Sequence, residues 1–212
     1  MKVLAFDTET TGLPTERNAS IMDMEKWPYI VQLSYVLYDT ELHESIACVD
    51  DLIKVTTQIP SEATAIHGIT TEMCIEKGIS IIDALQKFNK TLLQADIIVG
   101  HNISFDKQLL MVEFMRTKIV RQQFTINGVR KPEYCTMKRT NEICGIEIIN
   151  QKGEKYFKYP TLSQLYTHLF KTEPPKNIHN ALVDVLVCLR CYIQLEYNVD
   201  MSMSFIYKKF IG

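Results

Sequence analysis

Residues 2–12 read Lys2-Val3-Leu4-Ala5-Phe6-Asp7-Thr8-Glu9-Thr10-Thr11-Gly12. The apolar run is too short for a helix and is stopped by acidic and turn residues, which predicts a buried strand over 2–6. Side chains at i and i+2 of a strand point the same way. Asp7 and Glu9 therefore offer two carboxylates on one face at the strand's end. Carboxylates that close repel each other and lose hydration unless a cation joins them. Hard divalent ions take several such oxygens. On its own, such a pair is more often an exposed acidic strand end.

Working outward, residues 29–38 (YIVQLSYVLY) are rich in β-branched and aromatic residues and predict a second strand. Residues 45–55 predict a third, with Asp39 to Glu44 as the turn. A helix follows Thr70 and stops at Gly78. Another follows Ser80, with Asp83 completing a capping-box pattern and Ile82, Leu85, Phe88 and Leu92 on one face. Residues 96–99 predict a short strand ending at Gly100, then a helix from about Ser104 to Arg116. Residues 121–133 read as a loop with Gly128 and Pro132, and 146–159 as a hairpin around Lys152-Gly153. Helices fit 161–170, 179–197 and 203–210. Strands first, then helices alternating with short strands, predict an α/β fold with a mixed sheet. No repeat and no Pro-, Gly- or Ser-rich linker divides the chain, so 1–212 reads as one domain.

The 212 residues are 46% apolar and 23% charged, with net charge -2. These values exclude disorder and collagen-like architecture for most of the chain. They also exclude a wholesale polycation, so any nucleic-acid contact needs local basic charge. No apolar run approaches the ~18 residues of a membrane span, and the one before Asp7 is too short for a signal-peptide core. Six cysteines at irregular spacing predict a reduced intracellular compartment, cytoplasmic or nuclear. Cys188-Leu189-Arg190-Cys191 is a C-x-x-C about ten residues into a helix, with no second pair for zinc, and reads as core. The role of Met22, Met24 and Trp27, between the first two strands, stays open; His43 and His168 read as surface or helix residues.

Two further segments carry chemistry. In Val99-Gly100-His101-Asn102-Ile103-Ser104-Phe105-Asp106 an apolar strand enters a Gly turn and a helix opens with an acid. Ligands favour such crevices beyond strand ends, although Asp106 alone equally suits the positive end of a helix dipole. In His179-Asn180-Ala181-Leu182-Val183-Asp184, a spacing of five separates helical side chains by roughly 140°. His179 therefore belongs to the entering loop, behind Pro174 and Pro175. Asp184 lies among Val183, Val185, Leu186 and Val187, where an acid needs a partner or a metal.

Taken together, D-x-E at Asp7 and Glu9, H-N-x-x-F-D ending at Asp106, and H-x-A-x-x-D from His179 to Asp184 resemble the DEDDh-type 3′→5′ exonucleases. Ala65-Ile66-His67-Gly68-Ile69-Thr70 and Cys135-Thr136-Met137 resemble two further family segments, so the likeness runs from about residue 2 to residue 193. It implies an RNase H-like fold with a central mixed five-stranded sheet and helices on its faces. It implies phosphodiester hydrolysis with two divalent ions, Mg²⁺ or Mn²⁺. In that carry-over Asp7, Glu9 and Asp184 hold the first ion, and Asp7 bridges to a second supported by Asp106. His179 is the general base. Thr10, Ile66, His67, Asn102 and Phe105 hold the terminal nucleotide of a nucleic acid with a free 3′ end. DNA, single-stranded or frayed, is expected over RNA, with a polymerase or repair protein as possible partner and no membrane. The alternatives are RNA trimming by the same fold, or a binding module with weak catalysis. The intact acidic set argues against the latter.

From Arg116 to Arg139 the chain carries Arg116, Lys118, Arg121, Arg130, Lys131, Lys138 and Arg139 against Glu133 alone, a local charge of seven minus one, +6. Phe124 and Tyr134 are interleaved, which predicts a strand-binding track. A solvated basic loop fits the same composition.

Overall fold

The computed structural model describes residues 1–119, 124–126, 129–176 and 179–211. Arg121 and Gly128 fall outside the described residues. In chain order the elements are strands β1 (Lys2–Thr10), β2 (Ile30–Asp39) and β3 (Glu44–Leu52), then helices α1 (Ser61–His67), α2 (Thr71–Lys77) and α3 (Ile81–Gln94). Next come β4 (Ile97–Gly100), α4 (Ile103–Arg116), β5 (Thr125–Ile126), β6 (Val129–Arg130), β7 (Glu133–Cys135), α5 (Thr136–Arg139) and α6 (Asn141–Cys144). The chain ends with β8 (Glu147–Ile149), β9 (Lys155–Phe157), α7 (Leu162–Phe170), α8 (Ala181–Tyr197) and α9 (Phe205–Phe210).

Five strands form one sheet in the order β3-β2-β1-β4-β7. The β1–β2 and β2–β3 pairs are antiparallel, and the β1–β4 and β4–β7 pairs are parallel, so the sheet is mixed as expected. Strand alternation divides its side chains between two layers. Val3, Ala5, Val36 and Val99 pack under α7, α8 and α9. Leu4, Phe6, Leu33, Tyr35 and Ile98 pack under α3 and α4. The predicted face of α3 is there: Leu85, Phe88 and Leu92 are buried, and Ser80 Oγ caps the helix from Asp83 N at 3.1 Å.

Several expectations are corrected. β1 continues past the apolar run to Thr10, because β2 pairs with it throughout, Asp7 opposite Ser34 and Glu9 opposite Gln32. Helix α1 does not appear in the periodicity, since Ala63 is its one buried residue. The stretch after Arg116 is not a free basic loop. Phe124 is 2% exposed and stacks on Phe6 with ring centroids 6.0 Å apart. Lys131 is buried, its ammonium on the Ala95 carbonyl. Arg116 Nη2 donates to the carbonyls of Met24 (2.5 Å) and Trp27 (2.7 Å), and Nη1 to Pro28 (2.9 Å). It thereby pins the crossing between β1 and β2. Trp27 in that crossing is buried, whereas Met22 is exposed. Cys188 and Cys191 are unpaired core residues, as expected.

Candidate active site

Strand β1 delivers the acidic pair, and its alternation decides which layer each side chain meets. Asp7 and Glu9 share the parity of Val3 and Ala5 and face α8. There Asp184, in the first turn of α8, meets them: one oxygen from each of the three carboxylates lies within 4.8 Å of the others. Thr8 has the opposite parity and reaches α4. Its backbone N (3.1 Å) and Oγ1 (2.7 Å) both donate to Asp106 Oδ1. Asp106 is 3% exposed, so it is no surface dipole cap. Four carboxylates thus converge on one corner of the sheet from both layers.

Asp7, Glu9 and Asp184 are half-buried and Asp106 is buried, and the acids respond by holding protons. Burial, then repulsion from Asp184 and Asp106, pushes Glu9 up to about 8. Burial raises Asp106 to about 7 against the two Thr8 hydrogen bonds. Burial raises Asp184 to about 6, partly offset by the His179 backbone N–H. Asp7 is raised well above the carboxylate range by burial and then by Asp106, Asp184 and Glu9. A cluster of hard oxygen donors whose charges repel fits a divalent cation.

The entry to α8 is held by polar groups that the sequence does not single out. Asn180 caps the helix, its side chain accepting from Leu182 N and Val183 N. His179 precedes it with φ +80°, its backbone N donating to Asp184 Oδ1 at 3.4 Å. Ala181 N donates to Gln32 Oε1 at 3.3 Å. Gln32 Nε2 donates to Asp50 Oδ1 (2.8 Å), which also accepts from Ser34 Oγ (2.5 Å). Since Gln32 lies opposite Glu9 and Ser34 opposite Asp7, this network is the polar continuation of the acidic corner across β2 to β3.

The remaining expected residues divide. Ile66, 63% exposed, and His67 line a cavity of about 580 Å³ with His179, Asn180, Lys176, Asp50 and Phe210. The other three do not line it. Both ring nitrogens of His67 serve the backbone: Ile69 N donates to Nδ1 (3.0 Å), so Nε2 carries the hydrogen and donates to Thr10 O (3.2 Å). Burial lowers its pKa. Thr10 Oγ1 donates to Gly12 O at 2.6 Å. Asn102 takes φ +65° ahead of α4. Phe105 packs half-buried beside Trp27, with ring centroids 6.4 Å apart. His101, unassigned from sequence, contacts Thr136 Oγ1 (2.9 Å) and Pro160 O (3.1 Å). Burial holds its pKa at about 4.

A family model described as Exonuclease (RNase_T) matches residues 4–192. The chain belongs to this family, the DEDDh-type 3′→5′ exonucleases that its motifs resemble. A DNA polymerase III subunit epsilon-like protein of Rhodobacter capsulatus is 32% identical over 116 residues, covering 54% of this chain and 14% of that protein. The DNA polymerase III subunit epsilon of Treponema pallidum is 29% identical over 114 residues, covering 54% and 46%. E. coli exonuclease I in complex with a 5cy-dT13 oligonucleotide superposes with TM-score 0.67 at 17% identity, over 93% of this chain and 41% of that one. That likeness establishes the fold, RNase H-like as expected. The chain spans less than half the length of each of these proteins.

Glu9 and Asp106, with pKa values raised to about 8 and about 7, bind more protons folded than unfolded. Stability must therefore fall as pH rises through those values. The depressed histidines His67 and His101 act oppositely, but only below their unfolded values near 6.5. In EDTA, the thermal midpoint should drop between about pH 6.5 and about pH 8.5, and saturating Mg²⁺ should abolish the drop. Separately, Gln32→Leu should lower stability by the roughly 1–3 kcal/mol of an orphaned buried partner, and the thermal midpoint with it. Gln32→Glu, facing Asp50, should also destabilise. Adding Asp50→Asn should restore a donor and raise the midpoint of that variant.

Proposed function

We propose that the chain is a metal-dependent 3′→5′ exonuclease that removes nucleoside monophosphates from DNA, preferring single-stranded or frayed 3′ ends. The observation that carries this reading is the meeting of Asp7, Glu9 and Asp184 within 4.8 Å, with buried Asp106 beside them. Asp7, Glu9 and Asp184 would hold one divalent ion, and Asp7 with Asp106 a second, Mg²⁺ or Mn²⁺. Such a pair supplies activation of water and stabilisation of the leaving oxygen.

The chain's own groups do the rest. His179, exposed at the mouth of the cavity and just outside α8, takes the proton of the attacking water. Water's oxygen bonds to phosphorus, the bond from phosphorus to the 3′ oxygen breaks, and that oxygen takes a proton from solvent water to leave as the new 3′ hydroxyl. Ile66 and the ring face of His67 bound the space for the terminal nucleotide, while Phe105 and Asn102 meet its sugar or base from α4. Thr10 acts by shaping the turn, since its hydroxyl is occupied by Gly12. DNA is favoured over RNA because the exonuclease I complex of like fold holds a DNA oligonucleotide. The two epsilon-type relatives favour a polymerase as partner. No helix among the described residues is long and apolar enough to cross a membrane.

A 5′-labelled single strand should shorten one nucleotide at a time with Mg²⁺, stop with EDTA, and leave a circular strand intact. Asp7→Asn should lower the rate by orders of magnitude while the fold is kept. Near-wild-type cleavage by that variant, or rapid cutting of the circle, would overturn the reading. His179→Ala should lower the rate strongly and flatten the acid limb of the pH profile. An unchanged limb would make His179 structural.

A further inference from the structure

The β8–β9 ribbon forms a sheet of its own, apart from the five strands that carry the acidic corner. Neither strand fully buries a side chain. A two-stranded ribbon alone is marginal in water. Yet its turn is built with care for shape. Asn150 Oδ1 accepts from Lys152 N (2.8 Å) and Glu154 N (3.0 Å), Asn150 N donates to Glu154 O (3.0 Å), and Gly153 takes φ +81°.

What the ribbon displays is specific. Ile149, Tyr156, Phe157 and Tyr159 are 64%, 48%, 45% and 53% exposed. Of the seven aromatic side chains that stand exposed among the described residues, three fall within Tyr156–Tyr159, so the cluster is not scatter. Lysines recur at every third position, Lys152, Lys155 and Lys158. Lys155 is taken by Glu147 at 2.7 Å, while Lys152 and Lys158 have no carboxylate partner among the described residues.

Its root is fastened beside the acidic corner. Lys158 N donates to Ile146 O at 3.0 Å, and buried Pro160 presents its carbonyl to His101 Nε2 at 3.1 Å. His101 adjoins Asn102 in the turn that leads to Asp106. From Pro160 to Lys152 the chain can extend about 25 Å. Rings alternating with lysines suit a single strand, whose bases stack and whose phosphates need cations. A protein-binding patch would be depleted in lysine. In the stretch from Arg116 to Arg139, Phe124 and Lys131 are buried and so offer a strand neither ring nor cation.

We propose that the β8–β9 ribbon is an arm that holds the upstream part of a single-stranded nucleic acid, its exposed rings stacking on bases and Lys152 and Lys158 meeting phosphates. This rests on the exonuclease reading of the neighbouring corner.

The test compares a labelled single strand of about 20 nucleotides with a dinucleotide, which cannot reach the arm. Tyr156→Ala, Phe157→Ala and Tyr159→Ala combined should weaken binding of the long strand at least about fivefold, with dinucleotide cleavage unchanged. Lys152→Ala with Lys158→Ala should reduce the log–log salt slope of binding by about 1.4. The lysine pair serves should the aromatic variant fail to fold. Unchanged affinity and slope would overturn the arm and leave the ribbon's apolar face to a protein partner. Equal loss on the dinucleotide would also overturn it, since the substitutions would then act on the site. A wild type that cleaves neither substrate, yet binds the long strand through the ribbon, would refute the exonuclease reading and keep the arm.

Discussion

The gathering of four half-buried or buried carboxylates at one corner of the sheet is the constraint on which the rest of the structure depends. Asp7, Glu9, Asp106 and Asp184 all hold their protons above the ordinary carboxylate range, chiefly because burial removes their water. Without a cation the arrangement opposes folding. It persists because elements that bury apolar surface impose it. β1 is locked between β2 and β4, and α8 is buried along nearly its whole length. Small polar contacts then set two of the acids and the entry to α8: Thr8 on Asp106, the His179 backbone on Asp184, and the Asp50–Gln32 pair on Ala181.

The same constraint explains which residues carry chemistry and which carry shape. The resemblance assigns His67 to the terminal nucleotide, yet its Nε2 fastens α1 to Thr10 of β1 and its Nδ1 holds the turn at Ile69. His101 does similar work between the turn after β4 and the chain entering α7, at a pKa of about 4 that keeps it neutral. His179, by contrast, stands exposed with its backbone alone committed to Asp184. Three histidines near one corner thus divide into two fasteners and one candidate base.

Much of this was legible in the sequence because it follows periodicity. The i, i+2 spacing of Asp7 and Glu9 decides their shared face whatever the tertiary fold. The apolar surround of Asp184 announces a buried acid, and Pro174 and Pro175 place His179 before the helix. What periodicity does not carry is register. Gln32 and Asp50 matter because β2 pairs Gln32 with Glu9 and β3 pairs Asp50 with Ser34, and no local pattern reveals those pairings. Charge counting between Arg116 and Arg139 does not show which of its cations and rings are spent inside the fold, for a related reason. Lys131 and Arg116 spend their cations on buried carbonyls, and Phe124 fills the core beside Phe6. The hairpin around Lys152-Gly153 was legible as a hairpin, but its exposure was not.

The central claim is that the fold holds these carboxylates together for two divalent cations. Counting bound Mn²⁺ by electron paramagnetic resonance, with proton release recorded in the same titration, tests it most directly. The account predicts two ions per chain, magnetically coupled through a shared ligand, with protons released as they bind because the metal-free acids hold them. Mn²⁺ bound without proton release, or no bound Mn²⁺ at neutral pH, would contradict it.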